Sequence, residues 1–101
     1  MPGEALSIAL TGIASATKRV EAASHNIANL QTKDFRPVRV RQSSRAAGGA
    51  IAEVEVAPQP ELVSVAGELI GAELAGVQAK ASARVVGIGL EVLGSLLDIF
   101  A

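Results

Sequence analysis

The apolar positions of this chain repeat with three different periods, and each period marks one element. Over residues 4 to 31 the large apolar side chains fall at Leu6, Ile13, Val20 and Ile27, seven apart, and Ala9, Ala16, Ala23 and Leu30 stand three positions further on. Such a heptad is the seam of a coiled-coil-like helix, here with a narrow alanine side that lets another helix approach closely. Lys18, Arg19 and Glu21 fall away from the stripe. Pro37 pushes Arg36 toward extended backbone, so the helix is predicted to end before it.

Over residues 36 to 57 the period changes to two. Val38 and Val40 alternate with Arg39 and Arg41, and Val54 and Val56 with Glu53 and Glu55, which predicts two strands. Setting Val40 opposite Val54 puts Val38 against Val56, Arg39 against Glu55 and Arg41 against Glu53. One face of the hairpin is then valine and the other carries cross-strand ion pairs, each worth about 0.2 to 1 kcal/mol. The connection over residues 43 to 50, with Gly48 and Gly49, is too long for a two-residue turn and is expected to be mobile.

The third period is eleven. After Pro58-Gln59-Pro60, with Pro60 suited to the first helical position, a helix is predicted over residues 61 to 99. Its apolar positions recur as Ala66, Val77, Ile88, Ile99, as Ile70, Ala81, Val92, and as Leu74, Val85, Leu96. An eleven-residue repeat stays nearly straight or coils right-handed. Six glycines, at 67, 71, 76, 87, 89 and 94, interrupt it. Each costs about 1 kcal/mol relative to alanine, so roughly 6 kcal/mol of helix stability has to come from packing.

The fold predicted is mainly α: two long terminal helices packed lengthwise as a coiled-coil-like hairpin, with a short β-hairpin between them. It divides into residues 1–35, 36–60 and 61–101 of a single domain. At 101 residues the chain is near the lower limit for a self-sufficient core, and its hydrophobic half includes 19 alanines and only two aromatics, Phe35 and Phe100. With no cysteine there is no disulfide or thiolate site to add stability. A core this thin predicts a homo-oligomer. The net charge of −1 hides an asymmetry: residues 1–50 carry seven Lys/Arg and three Asp/Glu, residues 51–101 two and seven. That complementarity favours one half lying on the other, or on a second copy.

Few residues suggest chemistry. His25 is the only histidine and lacks companion ligands, so no metal or other cofactor is expected. Ser24 and His25, adjacent on a helix, point in different directions and cannot act as a nucleophile pair. Glu53 and Glu55 face arginines that would keep both ionised, whereas acid-base catalysis needs their pKa values apart. The chain is expected not to be an enzyme. Lys33, Arg36, Arg39, Arg41 and Arg45 form a basic cluster, but Phe35 is the one aromatic near it, and no nucleic-acid binding is expected. Gly67 and Gly71 have the spacing of a membrane-helix motif, yet Glu68 and Glu73 share the window, so no transmembrane segment is expected. The uncharged run over residues 5 to 17 follows an acidic Glu4 instead of a basic region, which disfavours a cleavable export signal.

Ser24-His25-Asn26-Ile27-Ala28-Asn29, then Thr32 and Phe35-Arg36, resembles the N-terminal signature of bacterial flagellar rod and hook proteins, the axial proteins of the basal body. Residues 5 to 24 resemble that family's first helix, and residues 81 to 100, ASARVVGIGLEVLGSLLDIF, its closing helix. Asp34 stands where the family usually has glycine, the Gln-Arg-Ala-Tyr-type stretch is replaced by Gly76-Val77-Gln78-Ala79-Lys80, and the large middle domain is missing. The resemblance implies a self-assembling structural subunit whose terminal helices pair and stack into a tube. Its partners would be itself, other rod and basal-body subunits and the flagellar type III export apparatus. It implies location in the flagellar basal body, after synthesis in the cytoplasm and export without a cleavable signal. The candidate assembly residues are Ile13, Val20, Asn26, Ile27, Asn29 and Phe35 from the first half and Ile70, Val77, Ile88 and Leu96 from the second. Asn26 and Asn29 lie three apart on one helical face, so their amides could satisfy backbone groups at the helix end or bond a neighbouring copy. The alternative is a small helical adaptor or oligomerisation module that binds another protein through its hairpin.

Overall fold

The computed structural model describes residues 2 to 100, the side chains of Pro2 and Phe100 excepted. Met1 and Ala101, which belong to the first and last predicted segments, lie outside the described residues. Four elements follow in order: α1 (Pro2–Ala28), β1 (Val38–Ser44), β2 (Ala50–Val56) and α2 (Val65–Phe100). The molecule is mainly helical, with a two-stranded antiparallel sheet between the helices.

The helices lie along one another in opposite directions. Leu6 of α1 touches Gly89 of α2, Gly12 meets Ser82, and Asn26 bonds Glu68. The contact is made of small residues: Ala9, Ala16 and Ala23 on α1 are buried, and Ala75 on α2 is 0% exposed. The predicted alanine side of the heptad is thus the inner side. Its large partners Leu6, Ile13 and Ile27 are half-buried and Val20 is exposed at the margin of the contact. On α2 the matching positions Glu68, Ala75, Ser82 and Gly89 are also seven apart, a repeat that the eleven-residue pattern obscured.

The hairpin lies on another face of α1. Its register pairs Val38 with Val56, Arg39 with Glu55, Val40 with Val54 and Arg41 with Glu53, the predicted alignment. Lys18 Nζ donates to the Ala52 carbonyl at 3.1 Å, and the Ala50 N–H donates to Thr11 Oγ1 at 3.0 Å. Ala52 is buried there and Val38 and Val40 are half-buried, but Val54 and Val56, on the same face of the sheet, are exposed. One helix is too narrow to cover a two-stranded sheet.

Four expectations need correction. First, α1 ends at Ala28, not residue 31. The Asn29 N–H is shared between the His25 and Asn26 carbonyls, and the Leu30 and Thr32 N–H groups each bond three residues back, the tightened geometry of a finishing turn. Second, α2 starts at Val65, not residue 61. The Ala57 N–H bonds the Pro37 carbonyl and the Glu61 N–H bonds the Phe35 carbonyl, which holds the segment after β2 extended. Ser64, rather than Pro60, makes the start: its Oγ accepts from the Gly67 N–H at 3.1 Å, as an N-cap does. Third, the ion pairs are shifted along the strands. Arg41 pairs with Glu55 and Arg39 with Glu61, because long side chains lean along the strand to diagonal partners. Both pairs are exposed, so their contribution is small. Fourth, the strands run to Ser44 and from Ala50, leaving a shorter turn that is anchored on α1. Gly48 and Gly49 have φ of 95° and 92°, and a β-carbon on either would come within 2.8 Å of Ile8 or 2.5 Å of Thr11.

Candidate assembly surfaces

Asn26 is the most constrained of the candidate residues. It is 1% exposed and sits where α1, β1 and α2 converge. In an antiparallel pair, alternate residues direct their N–H and C=O off the ladder. At Val38 those groups meet the Asn26 amide: the Val38 N–H donates to Oδ1 at 2.9 Å, and Nδ2 donates to the Val38 carbonyl at 2.8 Å. The second Nδ2 hydrogen reaches Glu68 Oε1 at 3.1 Å. Asn26 therefore acts as one extra peptide unit at the free edge of β1 and ties that edge to α2. Both hydrogens of its amide are occupied inside the chain.

Asn29 serves the helix end. Its Nδ2 donates to the His25 carbonyl at 2.9 Å and its Oδ1 accepts from Thr32 Oγ1 at 3.1 Å. Phe35 is half-buried with its ring 5.5 Å from that of His25. Between them Asp34 adopts φ 55°, the left-handed conformation that glycine takes without strain. These residues build the α1–β1 turn, and of the two roles considered for the amides, the Asn29 bond to the His25 carbonyl is the one that satisfies a backbone group at the helix end.

The α2 candidates form a different group. Ile70, Val77 and Ile88 are each 60% exposed, and Leu96 is also exposed. They belong to a stripe that continues through Leu74, Val85, Val92 and Ile99, all exposed. At about 100° per residue, this stripe is centred roughly a third of the way round the helix from Ala75 and Ser82. Hence α2 has two apolar faces: small residues in sevens that meet α1, and bulky residues in elevens that the described residues leave exposed. Ile13 and Ile27 belong to the first arrangement, being half-buried along the α1 contact.

The stripe has a counterpart in the glycines. A β-carbon at Gly71, Gly76, Gly87 or Gly94 would have no neighbour within 4 Å, whereas one at Gly89 would press on Leu6. Docking on α1 therefore accounts for Gly89 and leaves the other four as a cost within the single chain.

Sequence reasoning missed Gln78. Its Nε2 donates to the Gly12 carbonyl at 3.1 Å and its Oε1 accepts from Arg19 at 3.0 Å, so it fastens the helix pair from both ends of its amide. The signal was its position three residues past Ala75, on the margin of the small-residue face. Of the carboxylates considered for acid-base work, Glu55 is paired with Arg41, and both Glu53 and Glu55 are exposed. Among the described residues no helix is long and apolar enough to cross a membrane. Neither known family models nor curated proteins match this chain.

Proposed function

We propose that this protein is a structural subunit that works by self-assembly, of the kind its terminal motifs resemble in flagellar basal-body rod proteins. The observation that carries the reading is the uncovered α2 stripe from Ile70 to Ile99. An apolar surface this long and continuous on a soluble chain marks a contact site, because leaving it in water forfeits the burial that would stabilise it. The α1–α2 pair acts as a coiled-coil-like unit, and the stripe is the part of that unit that meets other copies or neighbouring basal-body subunits. Export through the flagellar type III apparatus and residence in the basal body follow from the same resemblance.

Replacing Val77 and Ile88 with aspartate tests this. Wild-type protein is expected to sediment as larger species with rising concentration, and the double variant as a monomer whose thermal stability matches that of the wild type at low concentration. Deleting the gene is expected to abolish motility and basal-body assembly; a fully motile deletion strain rejects the flagellar assignment.

Val54 and Val56, exposed on the inner face of the hairpin, favour a second reading, a helical adaptor that holds another protein by its sheet. On that reading Val54→Asp abolishes partner binding and leaves self-association intact.

A further inference from the structure

On α1 the residues Thr11, Ser15 and Lys18, spaced by four and three, share the helical face turned toward the hairpin. With Arg45 of the turn and residues 50 to 52 of β2 they border an open cavity of about 230 Å³. Ser15 is 2% exposed and carries the one buried hydroxyl among the described residues. Hydroxyls inside helices commonly bond back to a carbonyl of the preceding turn, as Thr11 does to Ile8 and Thr17 to Ile13. Ser15 makes no such bond and has no other partner among the described residues; it lines the cavity instead.

Two cations border the same cavity. Lys18 directs one ammonium hydrogen to the Ala52 carbonyl at 3.1 Å, which holds its end there. Arg45 has its backbone fixed in the turn, its N–H bonding the Gly49 carbonyl and its carbonyl accepting from the Gly48 N–H, each at 3.0 Å. Its guanidinium forms no ion pair among the described residues, unlike those of Arg39 and Arg41. Among the described residues no carboxylate lines this cavity, and Glu4 lines a neighbouring one that shares Thr11 and Arg45. Thr11 is already engaged, since its hydroxyl donates to the Ile8 carbonyl and accepts from the Ala50 N–H. The side chains with donors left over are therefore Ser15, Lys18 and Arg45.

A ligand that meets all three must accept hydrogen bonds at several points and carry two negative charges. A phosphoryl group does both, with three acceptor oxygens and a charge of about −1.5 to −2 at neutral pH, and its bonds to arginine and lysine are of the strong, charge-assisted kind. A carboxylate offers two oxygens in one plane and a single charge, which leaves one cation unmatched. We propose that this cavity binds a phosphoryl group, with Arg45 and Lys18 on its oxygens and the Ser15 hydroxyl donating a further bond. Bound there, the group ties the turn to α1. Inorganic phosphate and a phosphomonoester share this chemistry as its sources. The site takes no residue from the α2 stripe and stands independently of the self-assembly reading.

Isothermal titration of the full chain, at an ionic strength held constant with chloride, compares inorganic phosphate, O-phosphoserine and acetate. Saturable binding of phosphate or phosphoserine is expected, about tenfold or more tighter than that of acetate. Phosphoserine bound more tightly than phosphate assigns the site to a monoester, and phosphoserine bound no more tightly assigns it to the free anion. Arg45→Gln and Lys18→Gln are each expected to weaken binding about fivefold or more, and Ser15→Ala about threefold. Lys80→Gln removes the same charge from an exposed position on α2 and is expected to leave binding unchanged. Circular dichroism checks that each variant keeps the wild-type helix content. No saturable binding at constant ionic strength, acetate bound as tightly as phosphate, or binding by the variants at 18 and 45 equal to that of the wild type each overturns the proposal.

Discussion

At the scale of single residues, Asn26 and Asp34 show how one side chain sets the path of a long segment. Asn26 matches the N–H and C=O of Val38 and adds a bond to Glu68, so three elements depend on one amide. Asn26→Ala leaves two partly buried backbone groups unpaired and is expected to lower stability by about 2 to 4 kcal/mol, measured by denaturant unfolding. Asn26→Asp is expected to be no better, because a carboxylate cannot donate to the Val38 carbonyl and faces Glu68 with like charge. Asp34 makes the opposite case, a residue that fits its backbone poorly. At φ 55° it pays for a conformation that favours glycine, and Asp34→Gly is expected to stabilise the chain by about 0.5 to 1 kcal/mol, read as a higher melting temperature. The sequence motif pointed to both residues. It could not say that Asn26 turns inward, because hydrogen-bond partners 12 and 42 positions away are a property of the assembled chain.

At the scale of elements, the decisive feature is that α2 carries two apolar patterns at once. Ala75, Ser82 and Gly89 repeat by seven, while Val77, Ile88 and Ile99 repeat by eleven. The bulky pattern dominates any hydropathy reading, yet the small one forms the contact with α1, because helices approach closely only where side chains are short. Ala75→Leu puts a branched side chain into a position with no exposed surface and is expected to cost about 1 to 3 kcal/mol, with lost helicity at low concentration. Gly87→Ala tests a third direction, about as far round the helix from Ala75 as from the bulky stripe. Its β-carbon would stand in open space in the single chain, so it is expected to stabilise the monomer by about 1 kcal/mol, and a simultaneous loss of assembly would place Gly87 in a contact between copies. The hairpin register was legible from the alternation of valine with charge, since a strand offers only two faces. The ion pairs were not, because a flexible arginine chooses among all carboxylates within its reach.

At the scale of the whole molecule, the shape itself is informative. A compact domain of about 100 residues has a radius of gyration near 13 Å, and this chain has 17.5 Å. Elongation leaves most large apolar side chains exposed, and seven of the ten buried residues among those described are alanines. A monomer of this kind is expected to be marginally stable, and its melting temperature is expected to rise with protein concentration as binding between folded copies shifts the equilibrium. Differential scanning calorimetry over a hundredfold concentration range checks this, and a constant melting temperature would count against assembly. The sequence by itself determined the element types, the hairpin register and the division of the chain into a basic and an acidic half, because these follow from periodicities and charges along a line. Only the tertiary structure decided which of the α2 faces meets α1 and where Asn26 points. Those depend on how closely two backbones approach, and that distance is set by the smallest residues, which leave the weakest mark on a hydrophobic pattern.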